Sequence, residues 1–149
     1  MNRSSRNLRR LDAFLRDFRA PGAQSTLYAT NNADATSRLD KLDGCRVVIA
    51  RPEMRSVPID EDNSTDNLDT AIFVLEKHLG NGWTEEGENA QYSRLLAVAG
   101  DIIDRLGEEM ASGRCESLAG MRLTSVSMTP ELMLFGGWCG WSIDISISA

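Results

Sequence analysis

The sequence predicts an α+β fold in which an antiparallel four-stranded sheet carries helices packed mainly on one face. Three patterns lead to this prediction. Residues 138–149 alternate apolar and polar side chains, the period of a strand with one buried and one solvent-facing side. Residues 71–75 form a continuous apolar run, typical of a central strand covered on both faces. Residues 84–113 repeat apolar residues with the period of an amphipathic helix.

Residues 1–21 are predicted to form a basic amphipathic helix ahead of a single α+β domain, residues 22–149. Apolar side chains recur there at spacings of three and four, at Leu8, Leu11, Leu15 and Phe18. The pair Pro21-Gly22 ends the helix. A stripe this regular needs a partner surface, either the core of its own domain or another chain. The core is the favoured partner.

The next elements are shorter. Residues 26–29 suggest a short extended piece, and a short helix is predicted from Asn31 to Leu42, ended by Gly44. The β-rich residues 45–50 predict a strand. Residues 51–67 contain two prolines and many polar residues, so we expect a long exposed loop there. The apolar strand then covers residues 68–78.

The long helix is the best-defined element of the sequence. Thr84 and the acidic residues after it suit a first helical turn, and Gly113 suits its end. Gly100 and Gly107 lie inside the helix, where each glycine destabilises the helix by about 1 kcal/mol relative to alanine. We expect them to allow close approach to the sheet.

The C-terminal part is predicted to be a hairpin. It comprises a strand at residues 121–128, a turn at 129–131, an extended piece at 132–135, a glycine break and the final strand. The predicted order of elements is therefore α-(α)-β-β-α-β-β.

Composition sets limits on the class of protein. A chain of 149 residues is about one domain. Its 42% hydrophobic and 26% charged residues are ordinary for a globular protein. No run approaches the roughly 18 apolar residues of a membrane span, and no secretory signal is visible, so we expect no membrane partner. Three widely spaced cysteines suggest reduced thiols of a protein made inside the cell.

Charge is divided unevenly along the chain. Residues 1–20 carry six arginines and two aspartates, a net +4, which leaves −10 for the rest of a chain whose net charge is −6. This balance does not suit a dedicated nucleic-acid binder, whose footprint is a basic domain, so no specific nucleic-acid binding is expected. It suits head-to-tail contact between copies through Arg6, Arg9 and Arg10. A solvated helix face explains the arginines equally well.

No residues are predicted to be catalytic, to bind a cofactor or to hold a metal, and the chain is not expected to be an enzyme. His78 is the only histidine, and neither a Gly-x-Ser-x-Gly nor a Gly-x-Gly-x-x-Gly motif occurs. The acidic residues Asp60, Glu61 and Asp62 superficially suggest a calcium loop. The loop lacks the required glycine at its sixth position and glutamate at its twelfth, so a solvated loop is the better interpretation.

Three tryptophans could offer a stacking surface. Trp141 falls on the apolar face of the last strand by the two-residue period, so we expect it in the core. Trp138 lies among glycines and is the better candidate for an exposed contact.

The order of elements and two segments of the chain are similar to those of a known protein family. The chain has a basic helix, a helix containing Asp-Ile-Ile-Asp-Arg-Leu (residues 101–106), and a closing strand that reads Gly-Trp-Ser-Ile-Asp-Ile-Ser-Ile (residues 140–147). Over about residues 45–147 the chain resembles small tail-associated proteins of long-tailed bacteriophages, especially those of Bacteroidetes phages and prophages. It is similar in plan to tail terminator and tail completion proteins.

The resemblance implies a virion protein, made in the bacterial host cytoplasm, that forms a ring, commonly a hexamer. The ring caps the tail tube at its head-proximal end and joins the tail to the head connector. Its partners are then copies of itself and the tail tube and connector proteins. A neck or adaptor protein is a variant of this interpretation, since the N-terminal region is longer than the minimal plan needs. Contacts are expected at Arg6, Arg9, Arg10, Asp60, Glu61, Asp62 and Trp138.

Two alternatives remain open from the sequence. The first is a bacterial cytosolic binding or regulatory domain for a small ligand or protein partner, acting through its sheet face or the region of Trp83 and Trp138. The second, less favoured, is an enzyme with a site in the acidic loop.

Overall fold

The computed structural model describes residues 2–58, 64–78, 84–113 and 115–149. The elements of these residues, in chain order, are α1 Arg3–Asp17, β1 Ser25–Ala29, α2 Asn32–Leu39, β2 Arg46–Ala50, β3 Glu53–Pro58, β4 Ser64–Lys77, α3 Glu85–Ala111, β5 Arg122–Leu134 and β6 Trp138–Ser148. A 3₁₀ turn, Glu116–Leu118, lies between α3 and β5. The predicted α+β class is confirmed, but the described residues already form a sheet of six strands, so the prediction of four strands was wrong.

The sheet is mostly antiparallel. Its strand order is β1-β2-β4-β6-β5, and β3 pairs with β4 beside this path. Of the strands in the described part of the chain, only β1 and β2 run parallel to each other, as expected for strands joined through a helix such as α2. Strand β4 is the centre: one edge pairs with β2 and β3 in turn, and the other pairs with β6 along eleven residues.

Most of the described residues within the predicted long loop, residues 51–67, lie in strands and not in a loop. Strand β3 and the first residues of β4 pair antiparallel there, with Glu53 paired to Asp69 and Pro58 to Ser64. Turn-type residues suggested a loop, but pairing with the long central strand outweighs their low strand propensity. Only Arg51 and Pro52 interrupt the strand between β2 and β3.

The predicted turn at residues 129–131 was also wrong. Strand β5 runs through these residues, with Thr129 paired to Ser142 and Pro130 to Trp141. Proline is tolerated here because β5 is at the edge of the sheet, where one side of the strand has no neighbouring strand among the described residues. The chain turns instead at residues 135–137, where Gly136 and Gly137 have φ of 88° and 112°.

The two faces of the sheet are covered differently. Leu68 and Val74 of β4 lie in the main core with helices α1 and α3, and we call this side the covered face. Leu75, one position further, lies on the opposite side and packs with Trp138 and helix α2. The rest of that side is polar and includes the exposed Asp144, and we call it the open face.

Helix α1 packs on its own domain, as the apolar stripe favoured. Leu11 and Leu15 are 0% and 1% exposed. At the start of the helix, Ser4 Oγ and Asn7 Nδ2 donate hydrogen bonds of 2.9 and 3.2 Å to the carboxylate of Asp66. Asp66 itself is buried in β4. The helix is therefore fixed to the sheet by apolar packing and by a polar clamp.

Helix α3 confirms its predicted ends. The side chain of Thr84 accepts a hydrogen bond of 3.0 Å from the N–H of Gly87, and Gly113 follows the helix with φ of 66°. The helix buries Leu95, Ile102 and Leu106 against the sheet, each stabilising the fold by roughly 1.5–3 kcal/mol. None of the helices in the described residues is both long and apolar enough to cross a membrane.

Candidate interaction surfaces

Two arginines of α1 form an exposed basic stripe. Arg6 and Arg9 lie three residues apart, so they share one face of the helix, away from Leu11 and Leu15. Among the described residues neither has an ion pair. We call Arg6 and Arg9 the basic stripe.

Arg10, the third predicted contact, is used within the chain. Its guanidinium donates hydrogen bonds to the main-chain carbonyls of Glu116, at 3.0 Å, and Ala119. These bonds join α1 to the 3₁₀ turn. Arg10 is therefore fixed inside the domain, in contrast to Arg6 and Arg9.

Helix α3 presents an exposed acidic stripe. Asp101, Asp104 and Glu108 are exposed and fall on one side of the helix at spacings of three and four. The buried side of the same helix faces the sheet. The spacing between Asp101 and Asp104 equals that between Arg6 and Arg9. The two stripes have opposite charge and equal residue spacing, and the exposed Arg105 lies beside Asp101, four residues away on the same side of α3.

Strand β5 is an exposed edge of the sheet. It pairs with β6 on one side and ends the strand order on the other. Irregular register interrupts it between Leu123 and Ser125 and again between Glu131 and Leu134. Residues 125–129 lie between these irregularities as one regular run. Every side chain in that run except the half-buried Met128 is exposed.

No pattern in the sequence directly indicates this edge, because the residues of one strand do not identify the strands beside it. A usable signal was Pro130. Proline inside an otherwise strand-like segment is typical of an edge strand, and we interpreted it as a turn instead.

Trp138, the predicted exposed contact, is not exposed. It is 2% accessible and packs on the α2 side of the sheet with Leu39 and Leu75. Its neighbouring glycines suggested an exposed position, but helix α2 covers that end of the sheet. Trp141 is half-buried against the main core, and its indole N–H donates a 2.8 Å hydrogen bond to the carbonyl of Tyr92.

The acidic residues Asp60, Glu61 and Asp62 lie outside the described residues, as does Trp83. The predicted contacts at these positions remain predictions.

A cavity of about 260 Å³ lies beside α2 on the open face. Its floor is apolar and includes Val48, Phe73 and Phe135, and its rim carries Asn31 and Arg51. The rings of Phe73 and Phe135 meet edge to face, with centroids 5.2 Å apart. The cavity is the most ligand-like feature of the open face in the described part of the chain.

Asp12, Tyr28 and Arg16 form a polar cluster that the sequence did not predict. The Tyr28 hydroxyl donates to Asp12, and Arg16 Nε donates a 2.9 Å hydrogen bond to the same carboxylate. Burial raises the pKa of Asp12, but the bonds from Tyr28 and Arg16 outweigh it and leave that pKa below its ordinary value. The cluster joins α1 to β1, which makes its role structural.

The buried thiol also has a structural environment. Cys139 Sγ donates to Oε1 of Gln91 at 3.2 Å, and burial raises the pKa of Cys139 to about 11, helped by the charge of Glu76. A thiol with so high a pKa is a poor nucleophile at neutral pH. In the described ranges, no three His, Cys, Asp or Glu side chains are grouped so that they could hold a metal ion.

Comparison with protein-family models and with curated protein sequences gave no match. The site is therefore defined by the geometry of the chain itself: a basic stripe, an acidic stripe and a free sheet edge.

Proposed function

We propose that this chain is a virion structural protein, a tail terminator, tail completion or neck protein that forms a ring and joins the phage tail tube to the head connector. It works through its surfaces and carries out no reaction. Its partners are copies of itself, commonly six in a ring, together with the tail tube and connector proteins.

The observation that carries this proposal is the pair of complementary charged stripes. Arg6 and Arg9 on one copy match Asp101 and Asp104 on the next in spacing and in sign. The stripes are different surfaces of the same chain, so each copy can offer its basic stripe to one neighbour and its acidic stripe to another, which is a heterologous contact. Heterologous contacts close into rings when the rotation between copies permits. The resemblance of the sequence to tail-end proteins supports the same interpretation.

The experiment is an assembly measurement on the purified chain. Light scattering and native mass spectrometry over a range of concentrations measure the number of copies, and negative-stain electron microscopy shows the particle. We expect a closed ring that binds the end of tail tubes made from the tail tube protein of the same phage. A protein that stays monomeric and does not bind tube ends contradicts the proposal.

The cavity on the open face favours a second candidate, a binding or regulatory domain for a small ligand. Its apolar floor and polar rim are typical of small-molecule sites, although its volume of 260 Å³ is below the roughly 300–1,000 Å³ usual for them. Ala35 is 2% exposed and lines this cavity, so Ala35→Leu reduces its volume. A monomer whose melting temperature rises with a small ligand, and no longer does so in Ala35→Leu, supports this candidate.

A further inference from the structure

We propose that residues 125–129 of β5 pair antiparallel with the same residues of a second copy, about a two-fold axis at Ser127. The contact continues the sheet of one copy into that of the other. The proposal is based on the geometry of β5 and does not require the ring.

The first argument is that this run has no protection against pairing. An edge strand presents unpaired N–H and C=O groups along its free side, and proteins usually protect such edges with charged side chains, proline or bulges. Residues 125–129 read Ser-Val-Ser-Met-Thr, without a charge or a proline. Val126 is 39% exposed on an otherwise buried row of the sheet.

The second argument is that features which usually protect an edge strand flank residues 125–129 on both sides. Toward the start of the strand, the irregularity at residues 123–125 leaves Thr124 Oγ1 donating back to the carbonyl of Ser146. Toward its end, Pro130 lacks an N–H, and the carbonyl of Glu131 already accepts a 2.6 Å hydrogen bond from Tyr92. Five regular residues remain free, which limits the partner to a short strand.

The third argument is that β1, at the other end of the strand order, is a poor partner. The guanidinium of Arg38 donates to the main-chain carbonyl of Tyr28 there. A strand added to β1 has to displace this bond. In the described part of the chain, the side chain that donates to a main-chain carbonyl of residues 125–129 is Ser142, whose Oγ lies 3.5 Å from the carbonyl of Thr129, and Ser142 belongs to β6, the strand already paired with β5.

Charge complementarity identifies the second copy as the occupant. With Ser127 opposite Ser127, Ser125 pairs with Thr129 and Val126 with Met128. The bulge at residues 123–125 sets two residues opposite one, so Arg122 comes opposite Glu131 of the second copy. Arg122 and Glu131 lie on the same face, because their partners in β6 are Ser148 and Gly140, an even number of residues apart. The two-fold axis forms this ion pair twice.

The apolar pairs and the ion pairs of this contact have different roles. The apolar Val126–Met128 pairs lie on the covered face, where Met128 already packs against the core. The Arg122–Glu131 pairs lie at the two ends and fix the register, because a shift by two residues removes both. A two-fold contact joins copies, or rings, in pairs, and the charged stripes supply a separate heterologous contact.

Disulfide trapping tests the register. Opposite residues in antiparallel strands have Cα atoms about 4.5–5.5 Å apart, within the range of a disulfide. We expect Ser127→Cys to form a disulfide-linked dimer under mild oxidation, located by proteolysis and mass spectrometry. Ser125→Cys and Thr129→Cys are matched controls on the same face. Each alone is expected to give no dimer, while a mixture of the two gives one.

A second pair of variants tests the energetics without threatening the fold, since Val126 is exposed. Val126→Lys places a charge on the free edge and is expected to weaken dimerisation about tenfold, whereas Val126→Thr keeps a strand-forming side chain and dimerises nearly as before. Arg122→Glu is expected to weaken the dimer, and combining it with Glu131→Arg to restore it.

The outcomes separate this inference from the proposed function. A protein that assembles by light scattering, but whose Ser127→Cys variant forms no disulfide, overturns the pairing and leaves the ring standing. A Ser127→Cys dimer in a protein that forms no larger assembly supports the pairing and contradicts the ring. A monomer that is never trapped overturns both.

Discussion

At the scale of single residues, the two glycines inside α3 are informative because they have no structural reason to be glycine. An added Cβ at Gly100 or Gly107 meets no atom within 4 Å, so the predicted close approach to the sheet was wrong. Both lie in the interior of the helix, where alanine is favoured.

We therefore predict that Gly100→Ala raises the free energy of unfolding by about 1 kcal/mol, and Gly107→Ala by a similar amount. Urea denaturation followed by circular dichroism measures the change. Gly140→Ala is the matched control, since Gly140 has φ of 149° and an added Cβ would lie 1.9 Å from the carbonyl oxygen of Val74. That variant is expected to be strongly destabilised. An unchanged or lower stability of both α3 variants contradicts the prediction.

Asp12 predicts a pH dependence of stability. The pKa of Asp12 is lower in the folded protein than its ordinary value of 3.8. The ionised carboxylate therefore contributes fully to the free energy of unfolding above pH 3.8, and this contribution is lost as the pH falls through the lowered pKa. Tyr28 behaves in the opposite sense. The pKa of Tyr28 is raised in the folded protein. Its protonated hydroxyl therefore contributes fully to the free energy of unfolding below pH 10, and this contribution is lost as the pH rises through the raised pKa.

Asp12→Asn removes the charge and is expected to cost about 1 kcal/mol at neutral pH. Unfolding measured at a series of pH values compares the variant with the unchanged protein. We expect the difference between them to shrink below pH 3.8, since the native carboxylate is then protonated as well. Parallel pH profiles of the two proteins would show that the hydrogen bonds to Asp12 do not stabilise the fold.

At the scale of elements, the clamp on Asp66 is predicted to hold the start of α1 against the sheet. Asp66→Ala leaves the Asn7 amide, 7% exposed, without its acceptor, at a cost of about 1–3 kcal/mol. Amide hydrogen exchange in Arg3–Asp17 should become faster while exchange in α3 stays the same. Asp69→Ala is the control, because Asp69 is an odd number of residues from Asp66, on the opposite face of β4, and accepts a 2.7 Å bond from Ser146. Equal effects of both changes on α1 exchange would disprove the clamp.

The elements show how far the sequence could predict the fold. Long periodic segments, α3 and β6, were predicted with their caps and faces, because helix and strand periods are local properties. Strand β3 was missed because its residues have turn-like chemistry and become a strand only by pairing with β4. The burial of Trp138 was missed for a related reason: helix α2 covers it, and nothing in the residues around Trp138 indicates that cover. The free edge of β5 depends likewise on strand order, which no single segment contains.

At the scale of the whole molecule, the distribution of charge distinguishes contact surfaces from internal bonds. Of the arginines predicted to make contacts, Arg10 is bonded to the domain, so its reversal damages the fold and says little about assembly. Arg6 and Arg9 are exposed and are free to meet another copy. The useful variant is therefore the double reversal Arg6→Glu with Arg9→Glu.

We predict that this double reversal weakens ring assembly and makes the remaining assembly less sensitive to salt. For the unchanged protein, raising salt from about 0.1 M to 1 M shortens the Debye length from about 10 Å to 3 Å and should shift the assembly equilibrium toward monomers. The decisive variant combines the reversal with Asp101→Lys and Asp104→Lys on α3. If the stripes meet between copies, exchanging both signs restores assembly that either change alone removes, as light scattering can measure. If the combined variant assembles no better than the variants in which one stripe alone is reversed, the stripes are solvated surfaces and the ring uses other contacts.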